Sequence, residues 1–169
     1  RCRGVAVDAK VCGITRPEDA AFAAAAGAWR IGVIFAGGPR QVTPSRAAAI
    51  VAAGAPVPVL GVFGPRPLAT MLQEVRDAGL AGVQLYGDHP MAVAAALHAQ
   101  GLEVWRVVPI DGTMDLGATM NAGARDVSAV LLEAARPGGS GGRGIVIPLD
   151  VAREARRRAG AVRVVLAGG

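Results

Sequence analysis

The chain has 169 residues, 52% of them apolar and 18% charged, with a formal net charge of +5. That is enough apolar material for one domain with its own core. No stretch reaches the ~20 apolar residues of a membrane span and the N-terminus lacks an apolar signal core, so a cytoplasmic protein with reduced thiols is expected.

Short apolar runs alternate with Ala-rich segments of helical period. Lys10 to Cys12 reads as a first strand ending at Gly13. Its cysteine and Cys2 are too few for a disulfide framework and match no metal spacing. Thr15 is placed to cap a helix opened by Pro17, Glu18 and Asp19 that runs to Gly27. Arg30 to Phe35 is a strand, Pro44 to about Gly54 a helix, Val57 to Phe63 a strand, and Pro67 to about Ala78 a helix. Gly82 to Leu85 is the fourth strand, Pro90 to Gln100 a helix, and Leu102 to Val108 the fifth strand. A short helix over Asp115 to Ala124 and a strand over Val127 to Leu132 follow, then a glycine-rich loop. Leu149 to Ala159 is a helix and Val162 to Leu166 the seventh strand. On that last helix Arg153, Arg156, Arg157 and Arg158 form the tightest basic cluster, which reads as a solvated face. No aromatic interleaving or motif supports nucleic-acid binding. An anionic small substrate fits the charge equally well.

Strands alternating with helices predict an α/β protein with a parallel, helix-covered sheet. Seven such units, with no GxGxxG after the first strand, point to a (β/α)8 TIM barrel rather than a dinucleotide-binding sheet. Such a barrel has eight strands, so residues 1–169 are expected to form a single incomplete barrel domain, apparently truncated after the seventh strand.

Barrel chemistry sits at the carboxyl ends of the strands. There the sequence offers Cys12, Arg40 in the loop after strand two, Gln84 and Tyr86 after strand four, Arg106 at the end of strand five and Glu133 at the end of strand six. Cys12 and Glu133 make a thiol–carboxyl pair suited to a sugar isomerisation. One group opens the ring as an acid and the other removes a carbon-bound proton. Lys10 or Arg40 supplies positive charge to favour a thiolate, and an apolar mouth keeps a carboxyl protonated. Gly139, Ser140, Gly141, Gly168 and Gly169 can bring backbone N–H groups close to a phosphate. Blander readings stand beside these: a small buried hydrophobe for Cys12, a surface arginine for Arg40, a flexible loop for the glycines, core packing for Trp105. His89 and His98 read as surface positions, and neither belongs to a metal constellation.

The run Lys10-Val11-Cys12-Gly13-Ile14-Thr15-Arg16-Pro17-Glu18-Asp19 resembles the opening signature of the phosphoribosylanthranilate isomerase family. Pro39-Arg40-Gln41-Val42-Thr43-Pro44, Gly61-Val62-Phe63, Val83-Gln84-Leu85-Tyr86-Gly87-Asp88, Val130-Leu131-Leu132-Glu133, Gly138-Gly139-Ser140-Gly141 and Leu166-Ala167-Gly168-Gly169 follow in family order. The resemblance implies an Amadori rearrangement in tryptophan biosynthesis, without cofactor or metal. It implies Cys12 as the base at the sugar C2, Glu133 as the acid at the ring oxygen and Arg40 at the anthranilate end. Lys10, Gln84, Tyr86 and Arg106 are further candidates for substrate contact, and the glycines are candidates for holding the phosphate. Three departures stand out: Glu133 replaces the usual aspartate, Tyr86 stands where histidine is common, and Gly142-Arg143-Gly144-Ile145 replaces a Phe-Asp-Trp pattern. A diverged or inactive paralogue that binds or isomerises another sugar phosphate is the alternative reading.

Overall fold

The computed structural model describes residues 7–110, 116, 117, 120, 126–135 and 146–168. Cys2, most of the short helix expected over 115–124, and Gly139, Ser140, Gly141 and Gly169 lie outside the described residues.

The fold divides into two compact units, one up to Val83 and one from Gln84 onward. In the first, β1 (Lys10–Cys12), β2 (Arg30–Ile34) and β3 (Val59–Phe63) alternate with α1 (Pro17–Ala25), α2 (Pro44–Gly54) and α3 (Leu68–Ala78). β1 pairs in parallel with β2, placing Lys10 beside Arg30 and Cys12 beside Gly32. β2 pairs in parallel with β3, placing Val33 beside Gly61. Each parallel pair is joined by a helical crossover, which is what parallel pairing demands. All of β3 is buried, as expected for a strand covered on both faces. Ile31, Val33, Phe35, Ile50, Leu60, Phe63 and Met71 form the core of this unit.

Local sequence explains most boundaries. Thr43 caps α2 by accepting a hydrogen bond from the Arg46 N–H, and Pro44 opens the helix. α3 stops at Gly79, whose left-handed backbone (φ 65°) turns the chain so that Leu80 N–H donates to Val75 carbonyl. One expected cap moves. The cap position of α1 is Arg16, not Thr15, and no side chain caps it. Pro17 forces the residue before it into extended backbone, so position 16 becomes the last non-helical residue. Arg16 instead clasps Asp19 through two hydrogen bonds of 2.9 and 2.6 Å.

β4 (Gly82–Leu85) spans the boundary between the units. The second unit continues with α4 (Met91–Ala99), β5 (Glu103–Ile110), β6 (Ala129–Ala134), α5 (Leu149–Arg158) and β7 (Arg163–Ala167). β5, β6 and β7 pair in parallel in chain order, with Glu133 beside Pro109 on one side and Ala167 on the other. β6 starts two residues later than its sequence pattern predicts. Asp126 takes a positive φ of 58°, and Ser128 N–H then donates to Val104 carbonyl before the strand begins. Trp105 is fully buried, in agreement with core packing. His98 and the arginines of α5 are exposed as read, and Arg157 and Arg158 pair with Glu154 of the same helix. Among the described residues no helix is long and apolar enough to cross a membrane.

Gly61 gives a direct test of packing in the first unit. A Cβ there would lie 2.5 Å from the Phe63 ring and 2.8 Å from Leu80. Gly61→Ala is expected to destabilise the protein by about 1–3 kcal/mol through overpacking. An unchanged urea midpoint would contradict the tight packing of Phe63 and Leu80 over β3.

Candidate active site

The first group of candidate residues lies at the carboxyl end of β1. Lys10 and Cys12 are two residues apart on a strand, so they share a face. Lys10 Nζ donates to Cys12 Sγ at 3.3 Å, and the thiol is exposed. The neighbour across the ladder is Gly32, and a Cβ there would lie 2.7 Å from the sulfur and 3.0 Å from Nζ. A Cβ there would force the sulfur to shift and would crowd the flexible Lys10 tip, so glycine leaves room for both where they stand. The chain beyond Cys12 is then tied down. Gly13, with φ of 82°, and Ile14 both donate their N–H groups to Gly32 carbonyl, at 2.9 and 3.1 Å.

Arg40 joins this group from the loop after β2. Its Nη1 donates to Cys12 carbonyl at 3.5 Å, and its guanidinium lies over Gly13, where a Cβ would come within 2.5 Å of Nη1. The fold thus brings together Lys10, Cys12 and Arg40, which the sequence spreads over 31 positions. One nucleophilic sulfur next to two cationic groups forms a place where a proton acceptor and an anionic substrate group can meet.

The second group lies in the other unit. Glu133 is the penultimate residue of β6 and is partly buried. Burial raises the pKa of its carboxyl, while a hydrogen bond with Tyr86 pulls it back in part. The phenol donates to the carboxylate, so the two departures from the family pattern touch each other. Gln84 is buried in β4, immediately before this turn. Gly168 follows β7 with φ of 102°, one residue beyond Ala167, the ladder neighbour of Glu133.

Two expectations need correction here. His89 is not a surface residue: it is only 4% exposed, and its Nε2 hydrogen-bonds with Tyr86 carbonyl at 3.2 Å. The run Gly87-Asp88-His89-Pro90 has the composition of an open turn, but the histidine folds back under it. Arg106 is not at the end of its strand, because β5 continues four residues further, to Ile110. It pairs with Val130, and three residues along a strand reverse the face, so its side chain leaves the sheet opposite Glu133. There it donates to Met91 Sδ at 2.6 Å and to His89 carbonyl at 3.4 Å. Arg106 and His89 therefore hold the turn that presents Tyr86.

Composition gave no sign of His89 or of the face taken by Arg106. Gly32 did leave a signal, a glycine inside a β-branched strand, which marks close approach of a neighbour. Among the described residues no group of three or more His, Cys, Asp or Glu could hold a metal ion.

Known proteins match this arrangement of elements. The model of the N-(5'-phosphoribosyl)anthranilate (PRA) isomerase family matches residues 9–169. The N-(5'-phosphoribosyl)anthranilate isomerase of Pelobacter propionicus is 36% identical over 165 residues, which cover 96% of this chain and 75% of that protein. That of Myxococcus xanthus is 36% identical over 168 residues, 98% of this chain and 76% of that protein. The crystal structure of the enzyme from Thermus thermophilus superposes with a TM-score of 0.80 at 33% identity, covering 96% of this chain and 77% of that one. The fold is accordingly that of the (β/α)8 barrels, and the chain belongs to the phosphoribosylanthranilate isomerase family.

Proposed function

We propose that the chain isomerises N-(5-phosphoribosyl)anthranilate to the 1-(2-carboxyphenylamino)-1-deoxyribulose 5-phosphate product, as a step of tryptophan biosynthesis in the cytoplasm. The observation that supports this most is the convergence of Lys10, Cys12 and Arg40 at one strand end. A solved relative is a complex with the reduced form of that product, and its structure superposes with a TM-score of 0.78 at 26% identity. We read residues 1–169 as belonging to one barrel domain, acting on a small phosphorylated substrate and not on nucleic acid.

The reaction needs two proton transfers. Glu133 in its protonated form donates to the furanose ring oxygen. The C1–O bond breaks, and the nitrogen lone pair forms a C=N bond to C1. The Cys12 thiolate then takes the C2 proton. The C–H electron pair becomes a C1=C2 double bond, and the C=N electrons return to nitrogen. Ketone formation at C2 and proton return to C1 complete the product. Burial suits Glu133 to the first step, since desolvation favours the neutral acid. Lys10 orients the sulfur through its hydrogen bond. Arg40 pairs with the anthranilate carboxylate, for which a planar fork of donors is the natural partner. Gln84 lines the sugar, and Tyr86 holds the acid. Arg106 acts at one remove, through the turn that carries Tyr86. Gly139, Ser140, Gly141, Gly168 and Gly169 offer backbone N–H groups to the phosphate.

A second reading has its own support. Glu133 is one methylene longer than the family's aspartate, and its partner is a tyrosine. This pairing suits a mouth shaped for a different amino-sugar phosphate. Relative turnover of a panel of such sugars separates the two readings.

Cys12→Ala should lower kcat by at least ~100-fold, the usual contribution of a positioned base. Full rate in that variant would remove Cys12 from the mechanism. For the acid, loss of the phenol in Tyr86→Phe takes away the interaction that lowers the Glu133 pKa, so its titration midpoint should rise. Carbon-13 NMR of the carboxyl reads this directly, and an unmoved midpoint would contradict the Tyr86–Glu133 bond. The same raised pKa sets a sign for stability. Ionising Glu133 costs the folded state, so the penalty is absent below the unfolded-state pKa and grows as pH rises through the folded-state pKa. Glu133→Gln cannot ionise, and its melting temperature relative to the parent should climb between acidic and neutral pH. A constant difference would show that burial does not tax the carboxylate.

A further inference from the structure

The loop that carries Arg40 has little to stiffen it. It leaves β2 at Phe35 and runs through Ala36, Gly37, Gly38 and Pro39, with φ of 92° and 89° at the two glycines. It closes at Gln41, whose N–H donates to Gly38 carbonyl at 3.1 Å, and Val42 N–H donates to Ile34 carbonyl at 2.9 Å. The return end is therefore fixed by the ladder; at the departing end Phe35 N–H donates to Val62 carbonyl at 2.8 Å, and the Phe35 carbonyl is taken by a side chain from the loop after β3.

Phe35 is held from the loop after β3. Arg66 donates through Nη2 to Phe35 carbonyl and through Nη1 to Glu74 Oε2 on α3 at 2.7 Å. Its guanidinium carbon lies 5.2 Å over the Phe63 ring, and that ring stacks on Phe35 with centroids 4.9 Å apart and planes 11° apart. The Arg66 and Glu74 side chains are only 20% and 21% exposed. Arg66 Nε is buried and has no hydrogen-bond partner among the described residues. Such a partly satisfied, half-buried cation is costly for stability alone, since an orphaned buried donor forfeits its hydration. Besides its pair with Glu74, it secures one backbone carbonyl, at the point where the Arg40 loop begins.

We propose that Arg66 is a positioning residue for Arg40, clamping the Phe35 carbonyl so that the loop presents the Arg40 guanidinium at one fixed place for a substrate carboxylate. This rests on the reading of Arg40 as the group that pairs with the anthranilate carboxylate. Lysine cannot replace Arg66, because a single ammonium does not span two acceptors in the fixed geometry of a guanidinium fork.

Calorimetry on the full chain tests this with two probes: the reduced 1-(o-carboxyphenylamino)-1-deoxyribulose 5-phosphate, and its phenylamino counterpart without the carboxylate. Arg66→Met keeps the apolar stem over Phe63 and removes the fork. It should weaken the carboxylated probe by about tenfold and the other by less than twofold, as one misplaced charge-assisted pair predicts. Arg40→Ala should show the same selectivity, and the double variant should bind no more weakly than Arg40→Ala alone, because both changes remove one interaction. Equal weakening of both probes by Arg66→Met, additive losses in the double variant, or unchanged binding in Arg66→Met beside a selective loss in Arg40→Ala would each overturn the proposal. If Arg40→Ala leaves both probes unaffected, the reading of Arg40 itself fails, and this role of Arg66 fails with it. Arg66→Lys, which keeps the charge and loses the fork, carries the same expectations should the methionine variant not fold.

Discussion

The missing side chain at Gly32 is the constraint on which the rest depends. In a parallel ladder, register partners sit side by side on one face, so whatever stands opposite Cys12 competes with it for space. A methyl group there would lie 2.7 Å from the sulfur. Because position 32 is bare, the thiol and the Lys10 ammonium share that face 3.3 Å apart. The carbonyl of the same glycine receives two N–H groups from the chain beyond Cys12, so the residue that makes room for the sulfur also fixes the turn that follows it. Arg40 then leans on Gly13 and on Cys12 carbonyl, and a Cβ at position 13 would have to displace its guanidinium. Small residues at the strand ends let three reactive side chains and two stretches of backbone meet.

In the second unit the logic is one of partners. Glu133 sits deep enough for burial to favour its neutral form and close enough to Tyr86 for a phenol to steady its charged form. The first effect raises the carboxyl's pKa and the second partly offsets it. The turn bearing Tyr86 is in its turn held from below, by His89 through its ring and by Arg106 through a carbonyl. Read singly, glutamate for aspartate and tyrosine for histidine are two departures from a family pattern. Read together, they are one hydrogen-bonded pair.

Much of this was legible in the sequence, and for identifiable reasons. Alternating apolar runs and Ala-rich segments placed every described strand and helix to within about two residues, because burial on a parallel sheet dictates that alternation. Strand ends pointed to Cys12 and Glu133 as candidates, and the loop after strand two to Arg40, since a barrel gathers its chemistry at that end. What escaped were features of direction. Arg106 differs from a strand-end residue only by the register of β5 against β6, which one chain segment cannot reveal alone. His89 looks polar and exposed until the turn folds it inward. Arg66 sits among prolines in a run that reads as plain loop, and its importance lies in a carbonyl 31 residues earlier. The cap of α1 moved from Thr15 to Arg16 because proline geometry outweighed side-chain preference.

The central claim is that the Cys12 sulfur itself takes the proton from the sugar. Stoichiometric carboxymethylation with iodoacetate, followed by peptide mass spectrometry at Cys12 and by turnover in the same samples, tests it most directly. Activity should disappear in step with modification of Cys12, and the reduced product analogue should slow both losses equally. Full turnover in protein whose Cys12 is completely alkylated would contradict the assignment.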